Sequence, residues 1–197
     1  MNNGNTQSQS QADPPRPPVY IGRLAESEIG PLWVAVSDAG LVIVDWEMPQ
    51  AEFTRLVWRR FQRVADYDLA RTAEPLRQLK AYLAGDLIEF SLPLDLSHHT
   101  AFQQQVLRLT TEIPYGQTCT YKQLALRAGA PHAARAVGRV EATNPIPLVI
   151  PCHRVVGTDG SLHGYGGPGG VKLKAWLLQL EQVGLKKTTA GYPPAAS

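Results

Sequence analysis

At 197 residues and 44% hydrophobic composition, the chain has enough apolar content for one ordinary domain or two small ones. Its two cysteines, Cys119 and Cys152, form no CxxC, which excludes a disulfide framework and a cysteine-rich zinc site and fits a reducing, cytoplasmic setting. The net charge of +2 is uneven: residues 1–99 hold 9 Lys/Arg against 13 Asp/Glu and residues 100–197 hold 10 against 4, so the second half suits a polyanion.

Residues 1–18 are rich in Gln, Ser, Asn and Pro, which predicts a disordered tail without the apolar core of a signal peptide. No run approaches the ~18 apolar residues of a membrane span. "PLWVAVSDAGLVIVDW" predicts a β-hairpin turning at Asp38-Ala39-Gly40. "EPLRQLKAYLAG" predicts a helix stopped by Gly85, with Leu76, Leu79, Lys80 and Leu83 on one face. Together, residues 19–97 read as a small α/β domain with an antiparallel sheet and no recognisable chemistry.

From Thr100 the texture becomes helical. "TAFQQQVLRLTTEI" carries Phe102, Val106, Leu109 and Ile113 at helical spacing, and "IPYG" predicts a turn with Pro114 in its second position. "TYKQLALRAG" predicts a short helix from about Thr120 to Gly129. "APHAARAVGRVEAT" predicts another, with Pro131 in its first turn. Two short helices joined by Gly-Ala-Pro make a helix-turn-helix candidate. The second is lined by Ala133, Ala134, Ala136, Val137 and Gly138, with Arg135 among them. Small side chains permit close approach to a narrow groove, and an arginine in such a face can enter a base stack. "VKLKAWLLQLEQVG" predicts a last helix, with Leu173, Trp176, Leu177 and Leu180 inward and Gly184 as its stop. Residues 98–187 thus read as a mainly helical second domain, and 188–197 as a mobile tail.

The chemistry concentrates in "NPIPLVIPCHRVVG", Asn144 to Gly157. Cys152 is followed by a base, His153, and a cation, Arg154, the residue types that activate a thiol. Neighbours on an extended strand point to opposite faces, so His153 serves Cys152 only if the chain bends or a water bridges them. Glu112, Glu141, Asp159 and Glu181 are the carboxylates open to orient the imidazole. Pro145, Pro147 and Pro151 stiffen the approach, and "GYGGPGG" follows as a loop whose amides can approach a ligand closely.

"IPYG", "TYKQLA", "AARAVG", "NP", "IPCHRV" and "GYGG...K.WLL..E", in that order from about Phe102 to Glu181, resemble the O6-alkylguanine-DNA alkyltransferases. Residues 19–97 resemble that family's variable N-terminal domain more loosely. The resemblance implies an α+β fold whose helical C-terminal domain holds both the helix-turn-helix and the active-site cysteine. It implies stoichiometric, irreversible transfer of an alkyl group from O6-alkylguanine in double-stranded DNA to Cys152, with no cofactor or metal. O4-alkylthymine is a second candidate lesion, and a monomer is expected. His153 would act through a water and be oriented by Glu181. Tyr121 would donate to the leaving base, Arg135 would fill the space of the flipped nucleotide, and Asn144 would be the hinge before the active-site segment. Ala133, Ala134 and Gly138 would face DNA. Tyr165, Gly166, Pro147, Lys174 and the carbonyls of Cys152 and Val155 would line the base pocket. The loop before Lys174 is two residues longer than the family pattern, and Gly166 stands where some members have serine. Glu141 would sit at the end of the DNA-facing helix, pointing away from phosphate. Cys119 would be core. The competing readings are a non-catalytic helix-turn-helix protein that binds alkylated DNA, and a cysteine hydrolase.

Overall fold

The computed structural model describes residues 17–190, with side chains through Leu185, so most of the two expected tails lies outside the described residues. The N-terminal half holds β1 (Val19–Leu24), β2 (Leu32–Ser37), β3 (Gly40–Trp46), α1 (Gln50–Phe61), β4 (Ala65–Tyr67) and α2 (Leu69–Leu83). The C-terminal half holds α3 (Ala101–Thr111), β5 (Cys119–Thr120), α4 (Tyr121–Arg127), α5 (Ala134–Ala142), a 3-10 turn at Cys152–Arg154, β6 (Val155–Val156) and α6 (Val171–Ala190).

The sheet runs β3-β2-β1-β4. The β2–β3 hairpin forms at the expected turn. Gly40 there has φ 143°, and a side chain on it would overlap the Pro93 carbonyl, so only glycine fits. Strands β1 to β3 are antiparallel as expected, but β4 joins β1 in parallel, which makes the sheet mixed. The reason is topological: α1 carries the chain across the sheet from β3 and returns it alongside β1. Both faces are buried. Trp33 and Ala35 face α1, with Phe53, Val57 and Phe61. Leu32 and Val34 face the other way, onto Leu79, Tyr82 and Leu83 of α2. A bulge at Ala35/Val36 turns the neighbours Val42 and Ile43 to the same side.

Helix α1 has no counterpart in the sequence expectations, and α2 begins five residues before the expected start, where the Asp68 side chain caps Arg71 N. Helices α3 and α4 begin as expected. Each opens on a reciprocal capping box, Thr100 with Gln103 and Thr120 with Gln123. The "IPYG" turn falls one residue later than expected, closing from Gln117 N to Pro114 O with Gly116 at φ 72°. Pro131 precedes α5 rather than sitting in its first turn. Helix α6 continues past Gly184 to Ala190. That glycine is no stop; a side chain there would overlap the Tyr115 ring, so it serves close packing.

The second face of the sheet and the C-terminal helices share one core. Leu32, Val34, Tyr82 and Leu83 belong to the same buried cluster as Val137, Ile146, Leu148, Ile150, Val155 and Leu177. Val44 N also donates to Pro145 O at 3.0 Å, tying β3 to the cysteine-bearing segment.

Candidate active site

Asn144 builds the turn that presents the cysteine. Its Nδ2 donates to Ile150 O at 2.8 Å and its Oδ1 accepts from Ile146 N at 3.0 Å, so one side chain holds both ends of the intervening loop. Leu148, within that loop, has φ 74°, a left-handed conformation that costs a branched residue about 1 kcal/mol or more. Leu148 is fully buried, and burying a leucine returns about 2 kcal/mol, which holds the strained loop in place. Cys152 N then bonds Ile150 O, and the chain tightens into the 3-10 turn. That bend puts Cys152, His153 and Arg154 all in the interior, which resolves the difficulty an extended strand would pose.

Glu181 of α6 is the hub, and of the four candidate carboxylates it is the one that reaches the imidazole. His153 Nε2 lies 2.9 Å from Glu181 Oε1. An ionised carboxylate only accepts, so Nε2 carries the proton and Nδ1 presents a lone pair. Nδ1 is buried and has no hydrogen-bond partner among the described residues. Arg154 grips the same carboxylate, Nη2 to Oε1 at 2.8 Å and Nε to Oε1 at 3.0 Å, while its Nη1 donates to Ile113 O. Gly116 N donates to Oε2 at 2.9 Å. Tyr82 of α2 donates to Oε1 at 2.7 Å. Burial works against a charge on Glu181, but the His153 and Arg154 contacts outweigh it and hold the carboxyl down at about 2. Burial pushes the His153 pKa down despite Glu181, so the imidazole is neutral.

Cys152 lines a chamber of about 260 Å³ with Asn144, Pro145, Pro147, Tyr165, Gly166 and residues of the N-terminal half. Burial first, and then the Glu141 charge, push its thiol up to about 12, so the resting sulfur is protonated. A reaction at this sulfur would need a base, and Nδ1 of His153 is a lone pair without a hydrogen-bond partner among the described residues.

As expected, Glu141 points away from the exposed arginine-bearing face of α5; it is buried, on the chamber wall. Thr110 Oγ1 donates to its Oε1 at 2.7 Å, while Oε2 has no partner among the described residues. Burial raises its pKa to about 7 against the Thr110 bond and the Lys174 charge. A carboxyl that holds its proton more tightly when folded stabilises the fold fully below its unfolded pKa, and loses that contribution as pH rises through the folded value. The fold should therefore lose on the order of 3 kcal/mol from this group between the ordinary glutamate value of 4.5 and about 7 and above. Urea midpoints at pH 5 and pH 8 check this: Glu141→Gln should flatten the difference seen in the parent, and an equal difference in both proteins would refute it.

On the other side of Tyr165 and Gly166, a second concavity is lined by Tyr121, Ala134, Arg135, Gly138, Arg139, Ala142 and His163. Ala134, Gly138 and Ala142 stand four apart and share one helix face, flanked by the exposed Arg135 and Arg139. Val137, Val140 and Glu141 take the buried face. Ala133 is the helix cap and does not line this groove. Tyr121, at the start of α4, packs near Gly138, and burial raises its hydroxyl pKa, so it remains a donor.

One expected pocket residue has different surroundings. Lys174 is buried outside the chamber lining, and its Nζ donates to Val155 O at 2.6 Å, so that carbonyl already has one partner. Cys119, expected in the core, is half-buried in β5 and packs against the core's edge. Tyr82 was missed altogether. It lies 71 residues from His153 in a helix with no chemical signature, so its spacing gave no signal.

The family model described as 6-O-methylguanine DNA methyltransferase, DNA binding domain, matches residues 101–183. The model for the ribonuclease-like domain of the same proteins matches residues 21–96. The methylated-DNA--protein-cysteine methyltransferase of Mycobacterium leprae is 42% identical over 162 residues, covering 81% of this chain and 91% of that one. Its counterpart from Methanosarcina barkeri is 40% identical, covering 83% and 98%. The crystal structure of Mycobacterium tuberculosis OGT in complex with DNA matches with a TM-score of 0.70 and 38% identity, over 84% of this chain and 94% of that one. With both halves matched in order, and the thiol and imidazole of one turn brought to the carboxylate of α6, this chain belongs to the 6-O-methylguanine DNA methyltransferase family.

Proposed function

We propose that this protein repairs DNA by moving an alkyl group from O6-alkylguanine in a duplex onto Cys152, once per polypeptide. The observation that carries the reading is the free Nδ1 lone pair of His153, held by Glu181 in the same tight turn as a buried thiol. The thiol proton passes to Nδ1 through a water, because no direct bond joins the two side chains. The sulfur then forms its bond to the alkyl carbon as the carbon–O6 bond breaks. Tyr121 donates to the departing base and offsets the charge that develops on it. The product is a thioether, which no group in the site cleaves, so the protein is consumed.

The target carbon sits inside a stacked duplex, so the nucleotide must be flipped out. The small-residue face of α5 suits a narrow groove, and Arg135 beside it fills the gap the base leaves. Cys152 and the His153–Glu181 pair separate this reading from a purely DNA-binding helix-turn-helix protein, which needs none of them.

Arg135→Ala tests the DNA-dependent part. Single-turnover transfer from methylated duplex should fall at least tenfold further than transfer from free O6-alkylguanine base, since only the duplex needs flipping, at a cost of roughly a few kcal/mol. Equal losses on both substrates would remove the role of Arg135. Absence of transfer by the parent protein from methylated duplex would remove the reading itself.

A further inference from the structure

The chamber beside Cys152 and the groove beside Arg135 meet at Ala142, Tyr165 and Gly166, and Cys152 lines only the chamber. On the alkyl-transfer reading, on which this inference rests, the flipped base enters from the groove and brings its alkyl carbon to the sulfur. Any substituent on that carbon then lies in the chamber.

The far wall of the chamber belongs to the N-terminal half. Val44, Asp45 and Trp46 at the end of β3 and Arg60 of α1 form it. This wall is fixed. Val44 N is bonded to Pro145 O, and the Trp46 and Tyr165 rings meet edge to face with centroids 6.3 Å apart. Gly167 packs so closely that a Cβ on it would overlap both rings. The wall is aromatic and aliphatic, through Trp46, Tyr165, Val44, Pro145 and Pro147. Its charges, Asp45, Arg60 and Glu141, carry both signs, so an adduct of one sign gains no consistent partner. A methyl group is too small to reach across the chamber, whereas an arylmethyl group extends toward the indole.

We propose that Trp46 is a specificity-determining residue, the aromatic wall of a subsite for alkyl substituents larger than methyl, with arylmethyl groups the best fit. The chemistry is unchanged: a sulfur–carbon bond forms, the carbon–O6 bond breaks, the thiol proton goes to His153 and the purine leaves.

The test compares single-turnover transfer from duplexes bearing O6-methylguanine and O6-benzylguanine. The parent should transfer both groups. Trp46→Ala should lower the benzyl-to-methyl rate ratio roughly tenfold, as expected for losing an aromatic pair and its contact area, and Trp46→Phe should restore most of it. Trp46→Leu keeps apolar bulk without a ring and should still lower the ratio, which covers the case in which the alanine variant does not fold. An unaltered ratio in folded Trp46→Ala or Trp46→Leu would overturn the role of Trp46. So would a parent that takes methyl and refuses benzyl. A parent that transfers neither group would instead overturn the alkyl-transfer reading.

Discussion

Cys152→Ala is expected to abolish alkyl transfer completely while the protein still binds alkylated duplex. The sulfur is the acceptor, and alanine offers no lone pair. The DNA-facing surface does not depend on it, because Cys152 lines the chamber and is absent from the groove of Tyr121, Arg135 and Arg139. The packing loss is one sulfur atom in an interior already held by Asn144, about 1 kcal/mol, so the variant stays folded. Gel-shift affinity and transfer measured on the same preparation separate the two properties. Residual transfer would show that another residue accepts the alkyl group.

Glu181→Gln should have the second largest effect, through two separable routes. Glu181 fixes the proton on His153 Nε2 and so leaves Nδ1 free as the base. A glutamine can turn its amide toward Nε2, which shifts the ring proton to Nδ1 and removes the lone pair the thiol needs. Loss of a positioned general base corresponds to roughly 10²–10⁴ in rate. The same change leaves the buried Arg154 guanidinium without a counter-charge, and breaking a buried pair in this way costs about 3–5 kcal/mol. The two routes part under stabilising conditions. At low temperature, with the folded fraction confirmed by circular dichroism, transfer should remain at least a hundredfold slow if the tautomer argument holds. Full recovery of the rate on refolding would reduce Glu181 to a structural role.

The parts of this molecule that were legible in the sequence are those governed by local rules. The β2–β3 hairpin follows from apolar runs around Asp-Ala-Gly. The starts of α3 and α4 follow from threonines three residues before glutamines. The acceptor segment was visible because prolines, cysteine, histidine and arginine are crowded into a few residues, and the family resemblance supplied the partner in α6.

Long-range and burial-dependent features were not legible in the same way. The His153–Glu181 pair spans 28 residues and the Tyr82–Glu181 pair spans 99, and no periodicity encodes either. Helix α1 was overlooked although Phe53, Val57 and Phe61 repeat every four residues, a signal that was present. The inward turn of Glu141 was legible, because it follows Val137 by four residues and shares its face of α5, but its Thr110 partner and its place on the chamber wall were not. Gly184 shows the converse error, because a glycine kept for close packing looks in sequence like a glycine that ends a helix.

The chamber wall built by Trp46 carries the same lesson into function. The N-terminal half has no catalytic motif, yet it contributes Tyr82 to the hydrogen-bond hub and Trp46 to the space beside the sulfur. Its sequence shows neither role, because each arises only when the two halves close on a common core.

The most direct test of the account is the mass of the protein and its peptides after reaction with a limiting amount of duplex containing O6-methylguanine. One added methyl per lesion erased, carried on the peptide that contains Cys152, is the predicted result. A lesion that disappears while Cys152 stays unmodified, or several lesions erased by each polypeptide, would contradict it.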